Sequence, residues 1–471
     1  MQATSKNAIL YTVRELGRRA GVAPESIARW KVRFLADRIH VFPEADAAVR
    51  IVFPYDPSKP ARFAKLRAAP PGRYGWMLPP TSALIETIPD FTVLFSDDAG
   101  GGPLFSGIGP GEMHCNADIL TPTLWMLSRM EEAAPKPADA HGRFPASESA
   151  AFRGNCLDRP IVDEYALALR QALSHLLPGW VPLQRQLKLK LSHDIDLVGL
   201  PRSFRSTVGH VYPRRIPGAF VRDSLSGLGI GVPAYLRAVI ETARISRERG
   251  FDSAFYWKAA PRTRWDSGYD PEHPVVRAVI DRLLEDGFEM GVHPAYGTFD
   301  APEQLEAEIS RLRRVLGTGP LGGRQHFLRW RPFTWRSWEK AGLAYDSTVG
   351  FADVIGYRAG TAVPYHPWLL EEDRESGLLE IPLLVMDCTL TEYMKIPAAE
   401  AIARVAGLIR RSRATGGVFT LLWHNSGVIE RPYTSLYPRL LNLFQSDGRY
   451  DWKADLHLLP LPEIRENGAG A

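Results

Sequence analysis

The chain after residue 186 alternates between short apolar segments and longer amphipathic segments. Leu187-Lys188-Leu189-Lys190-Leu191 alternates strictly between apolar and basic residues, which is the two-residue period of a β-strand. Strands are predicted near residues 187–192, 252–257, 287–292, 323–329, 343–347, 378–386 and 417–423. Helices are predicted near residues 233–249, 274–286, 301–315, 335–342 and 397–412. Roughly seven strand–helix repeats favour a parallel sheet closed into a TIM-like barrel, with a doubly wound open sheet as the alternative.

The residues before this repeat are predicted to form a separate unit. They contain strand-like segments at 48–53 and 91–95, a glycine-rich turn or loop at 98–103, and helical segments at 119–132 and 161–177. We therefore expect an N-terminal α/β domain of unclear role at 1–185, followed by a barrel domain at 186–471. The stretch 200–232, with several Arg, Gly and Pro residues, is predicted to be an insertion after the first barrel strand.

Composition limits the classes of protein to which this chain can belong. Its 471 residues carry a formal net charge of only +4, and no run of like charge stands out as a nucleic-acid-binding stripe. Cys115, Cys156 and Cys388 suit neither a disulfide framework nor a metal knuckle, which fits a reducing compartment. No signal peptide and no apolar stretch of roughly 18 residues is visible. We expect a cytoplasmic protein without a membrane segment or a nucleic-acid partner, its oligomeric state left open.

Polar, ionisable or aromatic residues stand where the predicted strands end. Taken in strand order, they are Asp194 and Asp196, Trp257 and Lys258, His293, Arg324 and His326, Asp346, Asp387, and His424. In parallel α/β folds, functional sites are built at the carboxyl edge of the sheet. Because these residues recur at the same position strand after strand, we expect them to meet at one edge.

Asp194 and Asp196 are two residues apart, so in an extended chain their side chains point to the same face. Two neighbouring carboxylates repel each other, which raises the pKa of one of them unless a cation intervenes. A divalent metal resolves this conflict if Asp196 binds the metal and Asp194 remains as the base that activates a water. The alternative is a solvated turn or a helix cap.

His293 and His326 are the predicted partners of Asp196 at this metal, for which zinc is expected. His293 precedes a proline, so it cannot lie in the middle of a helix. His326 alternates with Arg324 along the predicted fourth strand, so the two would share a face. One Asp and two His with an open position are typical of a catalytic divalent site. The alternative for each histidine is a core or capping role.

The remaining candidates would handle protons and substrate. His424 is predicted to be the acid that protonates a leaving group, and Asp387 the carboxylate that orients a histidine. Arg358, in a loop with little apolar content, would orient an aspartate or bind an anionic substrate, with a surface arginine as the alternative. The predicted substrate-binding residues are Arg324, Trp257 and Trp423. Both tryptophans would stack on sugar rings, although aromatic residues near barrel strands are as often core.

Residues 187–430 resemble the polysaccharide deacetylases of the NodB-homology type, carbohydrate esterase family 4. The matching motifs are Asp194-Ile195-Asp196, His293, Arg329–Phe333 and Leu422-Trp423-His424. The family's first motif supplies a base and then a metal ligand, which implies these roles for Asp194 and Asp196, with one residue inserted between them. Its second motif contains a second histidine where this chain has Gly297, so His326 would take that place.

The resemblance implies a distorted (β/α)7 barrel that uses a divalent metal to remove N- or O-acetyl groups from sugars. Residues 193–196 and 358–361 are similar to a divergent branch with an additional N-terminal domain, and residues 128–132 resemble the signature of that domain. The expected function is a metal-dependent hydrolase that removes acetyl groups from an amino sugar or a polysaccharide precursor. Two alternatives stay open: a non-catalytic barrel that binds a sugar or nucleotide-sugar, and a hydrolase of another non-peptide C–N bond.

Overall fold

The computed structural model describes residues 4–43, 49–59, 71–97, 99–133, 137–199, 231–429, 433–444, 447–455 and 465–466. The predicted insertion near 200–232 lies outside these residues, apart from its last two positions. Within the described ranges, no helix combines the length and the apolar character needed to cross a membrane.

The N-terminal part combines helices with two small sheets. Its helices are α1 (Lys6–Ala20), α2 (Pro24–Ile27), α3 (Ser82–Thr87), α4 (Leu120–Leu127), α5 (Ala150–Arg153) and α6 (Ile161–Leu176). Its strands are β1 (Lys31–Phe34), β2 (Arg38–Phe42), β3 (Arg50–Pro54), β4 (Gly72–Gly75), β5 (Phe91–Val93), β6 (Gly100–Pro103), β7 (Phe105–Gly109) and β8 (Glu112–Cys115). The predicted loop at 98–103 is wrong in part, because β6 pairs with β4 there.

Helix α1 packs against α6, and the pair is bonded to the barrel. Arg19 of α1 forms a buried ion pair with Asp163 of α6 at 3.1 Å. Asp163 also accepts hydrogen bonds from the Thr361 hydroxyl at 2.6 Å and from the N–H of Ala362 at 2.8 Å. One buried apolar cluster contains residues of both parts of the chain. The division into domains at residue 185 stays a prediction.

The second part of the chain contains the barrel. The strands of this second part are β9 (Leu187–Asp194), β10 (Ser253–Trp257), β11 (Glu289–Val292), β12 (Gly322–Gly323), β13 (Tyr345–Asp346), β14 (Trp368–Leu369), β15 (Arg374–Glu375), β16 (Leu379–Glu380), β17 (Val385–Met386), β18 (Gly417–Leu422), β19 (Gly448–Arg449) and β20 (Arg465–Glu466). Strands β14 and β15 pair with each other, and β20 pairs with β1. Its helices are α7 (Ala234–Glu248), α8 (Pro274–Glu285), α9 (Pro302–Leu316), α10 (Pro332–Lys340), α11 (Ala398–Thr415) and α12 (Leu436–Leu441).

The barrel strands form a parallel sheet in the order β16-β13-β12-β11-β10-β9-β18-β17. Its two ends, β16 and β17, belong to one stretch of chain, residues 379–386, which pairs with β13 where it begins and with β18 where it ends. The predicted strand 378–386 is therefore split, and it joins the two sides of the sheet. Helices separate most of the successive strands along the chain, so the predicted distorted TIM-like barrel is confirmed.

The fourth barrel strand is much shorter than predicted. A Cβ atom at Gly323 would clash with the carbonyl oxygen of Val292 in β11, so only glycine permits this close pairing. Beyond β12 the chain leaves the sheet in a short turn, where Phe327 and Leu328 adopt φ values of 60° and 53°. The prediction that Arg324 and His326 lie on one strand is therefore wrong.

Candidate active site

The carboxyl ends of the barrel strands meet at one mouth, where Asp194 ends β9 and Asp196 follows. Asp196 Oδ1 lies 3.3 Å from His293 Nε2, and Asp194 Oδ2 lies 3.7 Å from His293 Nδ1. The two carboxylates differ in access, because 29% of the Asp196 side chain is exposed but only 2% of the Asp194 side chain. Asp196 is therefore the more accessible of the two carboxylates.

Asp196, His293 and His326 form a group whose candidate ligand atoms all lie within 4.8 Å of one another. The Nε2 atoms of His293 and His326 lie 3.3 and 3.2 Å from Asp196 Oδ1. One residue follows β9, one follows β11 and one belongs to the turn after β12. The structure thus brings together the three residues that the sequence predicts as metal ligands, although one of them comes from a turn instead of a strand.

The hydrogen bonds of the two imidazoles determine which nitrogen faces Asp196. His293 Nδ1 donates to the carbonyl oxygen of Arg324 at 2.7 Å, and His326 Nδ1 donates to Asp266 Oδ1 at 2.8 Å. Burial lowers the pKa of His293, which favours a neutral ring, and its buried Nε2 has no hydrogen-bond partner in the described structure. In neutral rings both Nε2 lone pairs face a carboxylate oxygen. A divalent cation would convert this repulsion into ligation, so the residues fit a metal with an open position.

Two charged residues at this site were given no role in the sequence prediction. Lys258, directly after β10, places its Nζ 2.8 Å from Asp196 Oδ1 and 3.5 Å from Asp266 Oδ1. Burial would raise the pKa of Asp266, but His326 and Lys258 hold it at about 2. Lys258 stands at a strand end, so the strand pattern contains a signal for it. Asp266 has none, because no period or motif marks its loop.

Nearby cations keep both aspartates of the mouth ionised. Arg324 donates to Asp194 Oδ1 at 3.0 Å. Burial would raise the pKa of Asp194, but His293 and Arg324 hold it below its ordinary value. Burial likewise opposes the ionisation of Asp196, yet Lys258 and His326 hold its pKa well below the ordinary value. An ionised Asp196 is what a cation would need, and an ionised Asp194 is what a base would need.

Arg324 is buried, and all of its nitrogens donate inside the barrel. Its Nε donates to the Ser347 carbonyl at 2.8 Å, its Nη1 to Ser192 Oγ and to Asp194, and its Nη2 to Ser347 Oγ at 3.0 Å. A substrate cannot reach this guanidinium. The structure therefore corrects the predicted substrate-binding role of Arg324, which instead orients Asp194.

His424 and Asp387 form a hydrogen-bonded pair beside Asp196. His424 Nδ1 lies 2.7 Å from Asp387 Oδ1, and its Nε2 lies 3.5 Å from Asp196 Oδ2. Burial would lower the pKa of His424, but Asp387 and Cys388 raise it well above the ordinary value, which favours the imidazolium. Asp387, Cys388 and His424 also lie close enough to hold a metal. The bond between Nδ1 and Asp387 suits a proton donor better than a ligand.

Arg358 lies at the contact between the barrel and the N-terminal part. Its Nε donates to Glu132 Oε1 at 3.0 Å, and its Nη1 donates to the carbonyl oxygen of Gly350 at 2.9 Å. Arg129 forms an ion pair with the same glutamate at 2.7 Å. The predicted role of Arg358 in orienting an aspartate of the mouth or binding an anionic substrate is corrected, because its charge is paired with Glu132.

Trp257 and Trp423 are also buried. Trp257 donates from Nε1 to Met290 Sδ at 3.3 Å, and Trp423 stacks on Tyr437 with the ring centroids 5.3 Å apart. Neither ring has accessible surface to offer a sugar. The predicted substrate-binding roles of the two tryptophans are therefore corrected, and both rings belong to the core.

A parallel barrel with ionisable side chains at its carboxyl edge is the type of fold on which many enzymes place their sites. The model of a family of unknown function (DUF7033) matches residues 70–178, within the N-terminal part. No curated protein matches the chain.

Among solved structures, the chain is similar to two proteins assigned as polysaccharide deacetylases. With the one from Mycobacterium smegmatis it shares 15% identity over 62% of this chain and 97% of that one, at a TM-score of 0.42. With the one from Pseudomonas aeruginosa PAO1 it shares 16% identity over 58% of this chain and 90% of that one, at a TM-score of 0.38. An allantoinase shares 14% identity over 69% of this chain and 96% of its own, at a TM-score of 0.39.

Proposed function

We propose that this protein is a metal-dependent hydrolase that removes acetyl groups from an amino sugar or a polysaccharide precursor. The observation that carries the proposal is the meeting of two histidine Nε2 atoms at one carboxylate oxygen, Oδ1, of the partly exposed Asp196. Both rings have their Nδ1 protons engaged elsewhere, so both lone pairs are available to a metal.

The residues around this group fit the roles that acyl hydrolysis requires. A divalent ion bound by Asp196, His293 and His326 would polarise a carbonyl and a water. Asp194 lies next to this group and accepts the proton of the attacking water. Arg324 holds the carboxylate of Asp194 in one orientation by a direct hydrogen bond, so the base is fixed before the substrate arrives.

The His424–Asp387 pair fits the second proton transfer. Asp387 keeps the imidazole of His424 charged and orients it through Nδ1, which leaves Nε2 to donate a proton to the departing amine or alcohol. The distance of 3.5 Å between His424 Nε2 and Asp196 Oδ2 places the acid next to the candidate metal ligand. An acetylated sugar as the substrate, with an amide or an ester bond, is what the motif resemblance implies.

Metal analysis of the purified protein tests this proposal. We expect about one zinc or similar divalent ion per chain, and acetate release from acetylated amino sugars that stops when a chelator removes the ion. Asp196→Ala should lose both the ion and the activity. Asp300→Ala, which removes an exposed carboxylate from the turn that follows β11 and His293, is the matched control and should retain both. A metal-free Asp196→Ala protein with full activity would contradict the mechanism.

A second candidate function is favoured by Lys258. Its ammonium lies 2.8 Å from Asp196 Oδ1 and supplies positive charge without a metal. In that case the barrel would bind a sugar or nucleotide-sugar without hydrolysing it. The two functions differ in metal content, because a binding protein would hold no stoichiometric ion and would keep its sugar affinity in Asp194→Asn.

A further inference from the structure

A short turn of the N-terminal part, residues 139–143, lies against the turn that carries His326. Asp139 Oδ1 accepts from the N–H groups of His141 and Arg143, each at 2.9 Å, so the first residue of this turn closes it. The rings of His141 and Phe327 lie with their centroids 4.6 Å apart. This turn falls within residues 70–178, the segment that matches the family of unknown function.

The turn that follows His326 has a backbone conformation that side-chain-bearing residues rarely adopt. Phe327 and Leu328 both lie in the left-handed region, with φ values of 60° and 53°. Each such residue is strained, and the conformation persists only where surrounding contacts hold it. Because His326 directly precedes these two residues, the direction of its imidazole depends on this turn.

Arg143 supplies a contact that holds the turn. Its Nη1 donates to the carbonyl oxygen of Phe327 at 3.0 Å, its Nη2 to the Tyr393 hydroxyl at 3.0 Å, and its Nε to Asp139 Oδ2 at 2.7 Å. The guanidinium is therefore fixed on two sides by other groups and presents a rigid donor to Phe327. Its side chain is buried, so water does not readily replace that donor.

Aromatic rings link the same turn to Asp266, the carboxylate that accepts from His326. Trp265 and Tyr296 stack with centroids 5.2 Å apart, and both rings contact Phe327. The N–H of Tyr296 donates to Asp266 Oδ1 at 3.1 Å. The position of Phe327 and the position of the His326 hydrogen-bond acceptor are thus set by one connected group of side chains.

We propose that Arg143 is a positioning residue for His326, and that one role of the N-terminal part is to complete the metal centre of the barrel. The inference rests on the proposed metal site. Without Arg143 the carbonyl of Phe327 loses its donor and the turn relaxes towards the right-handed region. His326 Nε2 then moves away from Asp196, and the centre loses a ligand while the rest of the barrel stays folded.

Zinc titration of the metal-stripped full-length chain, followed by calorimetry, tests this role. Arg143→Ala should bind zinc about 10- to 100-fold more weakly than the wild type, which is the usual effect of removing a group that orients a ligand. Arg143→Lys keeps the charge but cannot make all three hydrogen bonds of the guanidinium, so its zinc affinity should lie between those of Arg143→Ala and the wild type. Arg14→Ala is the matched control. Arg14 is similarly buried and pairs with Glu375 of the second part of the chain at 2.7 Å. This ion pair lies outside the contacts of the 139–143 turn, so its loss should leave zinc affinity unchanged.

The titration separates a failure of this inference from a failure of the proposed function. If the wild-type chain takes up no zinc, the proposed function falls and this inference falls with it. If the wild type binds zinc and Arg143→Ala binds it equally well, only the positioning role is overturned.

A second variant distinguishes backbone strain from a general loss of folding. Glycine adopts positive φ without strain, so Phe327→Gly removes the conformational cost at position 327, the residue whose carbonyl accepts from Arg143. In the Phe327→Gly background, Arg143→Ala should weaken zinc binding less than about threefold. An undiminished loss of affinity in that background would overturn the account, since Arg143 would then act by some route other than the turn.

Discussion

Two pairs of carboxylates lie at barrel strands, and their environments shift their pKa values in opposite directions. Asp194 and Asp196 at the mouth have lowered pKa values. His293 and Arg324 outweigh the effect of burial on the pKa of Asp194, and Lys258 and His326 do so for Asp196. Asp346 of β13 and its register partner Glu380 of β16 have raised pKa values, because burial outweighs the groups that would lower them. The pKa shifts thus favour the ionised carboxylate at the mouth and the protonated carboxyl group at Asp346 and Glu380.

The hydrogen-bond donors explain this difference. Asp194 accepts from a guanidinium, whereas Asp346 accepts from the N–H of Thr348 at 2.9 Å and Glu380 accepts from the indole of Trp335 at 2.8 Å. Neutral donors stabilise a carboxylate less than a cation does. A nearby cation, and not strand position, therefore separates the carboxylates of the mouth from the second pair.

The sharpest test of this comparison replaces one aspartate of each pair. Asp194→Asn should lower the rate of acetyl hydrolysis by about 10²- to 10⁴-fold, because the amide cannot accept the proton of the attacking water. Its metal content should stay unchanged, since Asp196 is intact. Asp346→Asn should stay within a few-fold of the wild-type rate. Equal losses in the two variants, measured as initial rates of acetate release, would remove the functional distinction between the pairs.

Removal of the Arg324 guanidinium should leave Asp194 in an environment like that of Asp346 and Glu380, buried and without a cation beside it. Arg324→Met leaves Asp194 buried without its ion-pair partner, so the free energy of unfolding should fall by about 3–5 kcal/mol. Urea denaturation measures this loss. Arg336→Met breaks an exposed ion pair with Glu372 and should cost less than about 1 kcal/mol. A loss in Arg324→Met no larger than in this control would show that the guanidinium does not hold Asp194.

Replacement of Lys258 tests, with a smaller expected effect, how the cations of the mouth influence metal binding. Its ammonium must release Asp196 before a metal is fully ligated, so Lys258→Met should tighten zinc binding about tenfold, or about 1.4 kcal/mol. Lys340→Met, an exposed lysine of α10, should have no effect. Weaker zinc binding in Lys258→Met would mean that the lysine orients Asp196 and Asp266 for the metal instead of competing with it.

Sequence patterns predicted what depends on local periodicity. The alternation from Leu187 to Leu191 located β9, and the position after that strand located Asp194 and Asp196. The same strand-end signal stands at Asp346, which lies elsewhere in the barrel and has a raised pKa. Sequence could not separate these carboxylates, because the deciding cations come from other strands and from loops.

His326 shows the same limit in another way. The residue was predicted as a ligand but placed on a strand, because the left-handed turn at Phe327 and Leu328 leaves no mark in the hydrophobic pattern. What holds that turn is Arg143, more than 180 positions earlier in the chain. Such long-range contacts are decided by packing and not by the local sequence.

The raised pKa values of Asp346 and Glu380 lead to a last prediction, about how the free energy of unfolding depends on pH. Because the folded pKa values of Asp346 and Glu380 are raised, their contribution to stability is complete below the unfolded pKa of about 4 and is lost as pH rises through the folded values. Each retained proton contributes a slope of up to about 1.4 kcal/mol per pH unit. Glu380→Gln removes one titrating group, so its free energy of unfolding should fall less steeply between pH 5 and 8, by about 1 kcal/mol per unit.

The slope, and not the absolute stability, is the informative quantity for Glu380→Gln. An amide retains one acceptor where the carboxylate serves both the Trp335 indole and the N–H of Val349, so the variant loses some stability at every pH. Urea denaturation at several pH values separates this constant loss from the change in slope. Glu303→Gln, on the exposed face of α9, is the control and should keep the wild-type slope. If Glu380→Gln also keeps it, the second pair is ionised like the first, and the contrast between the two rests on position alone.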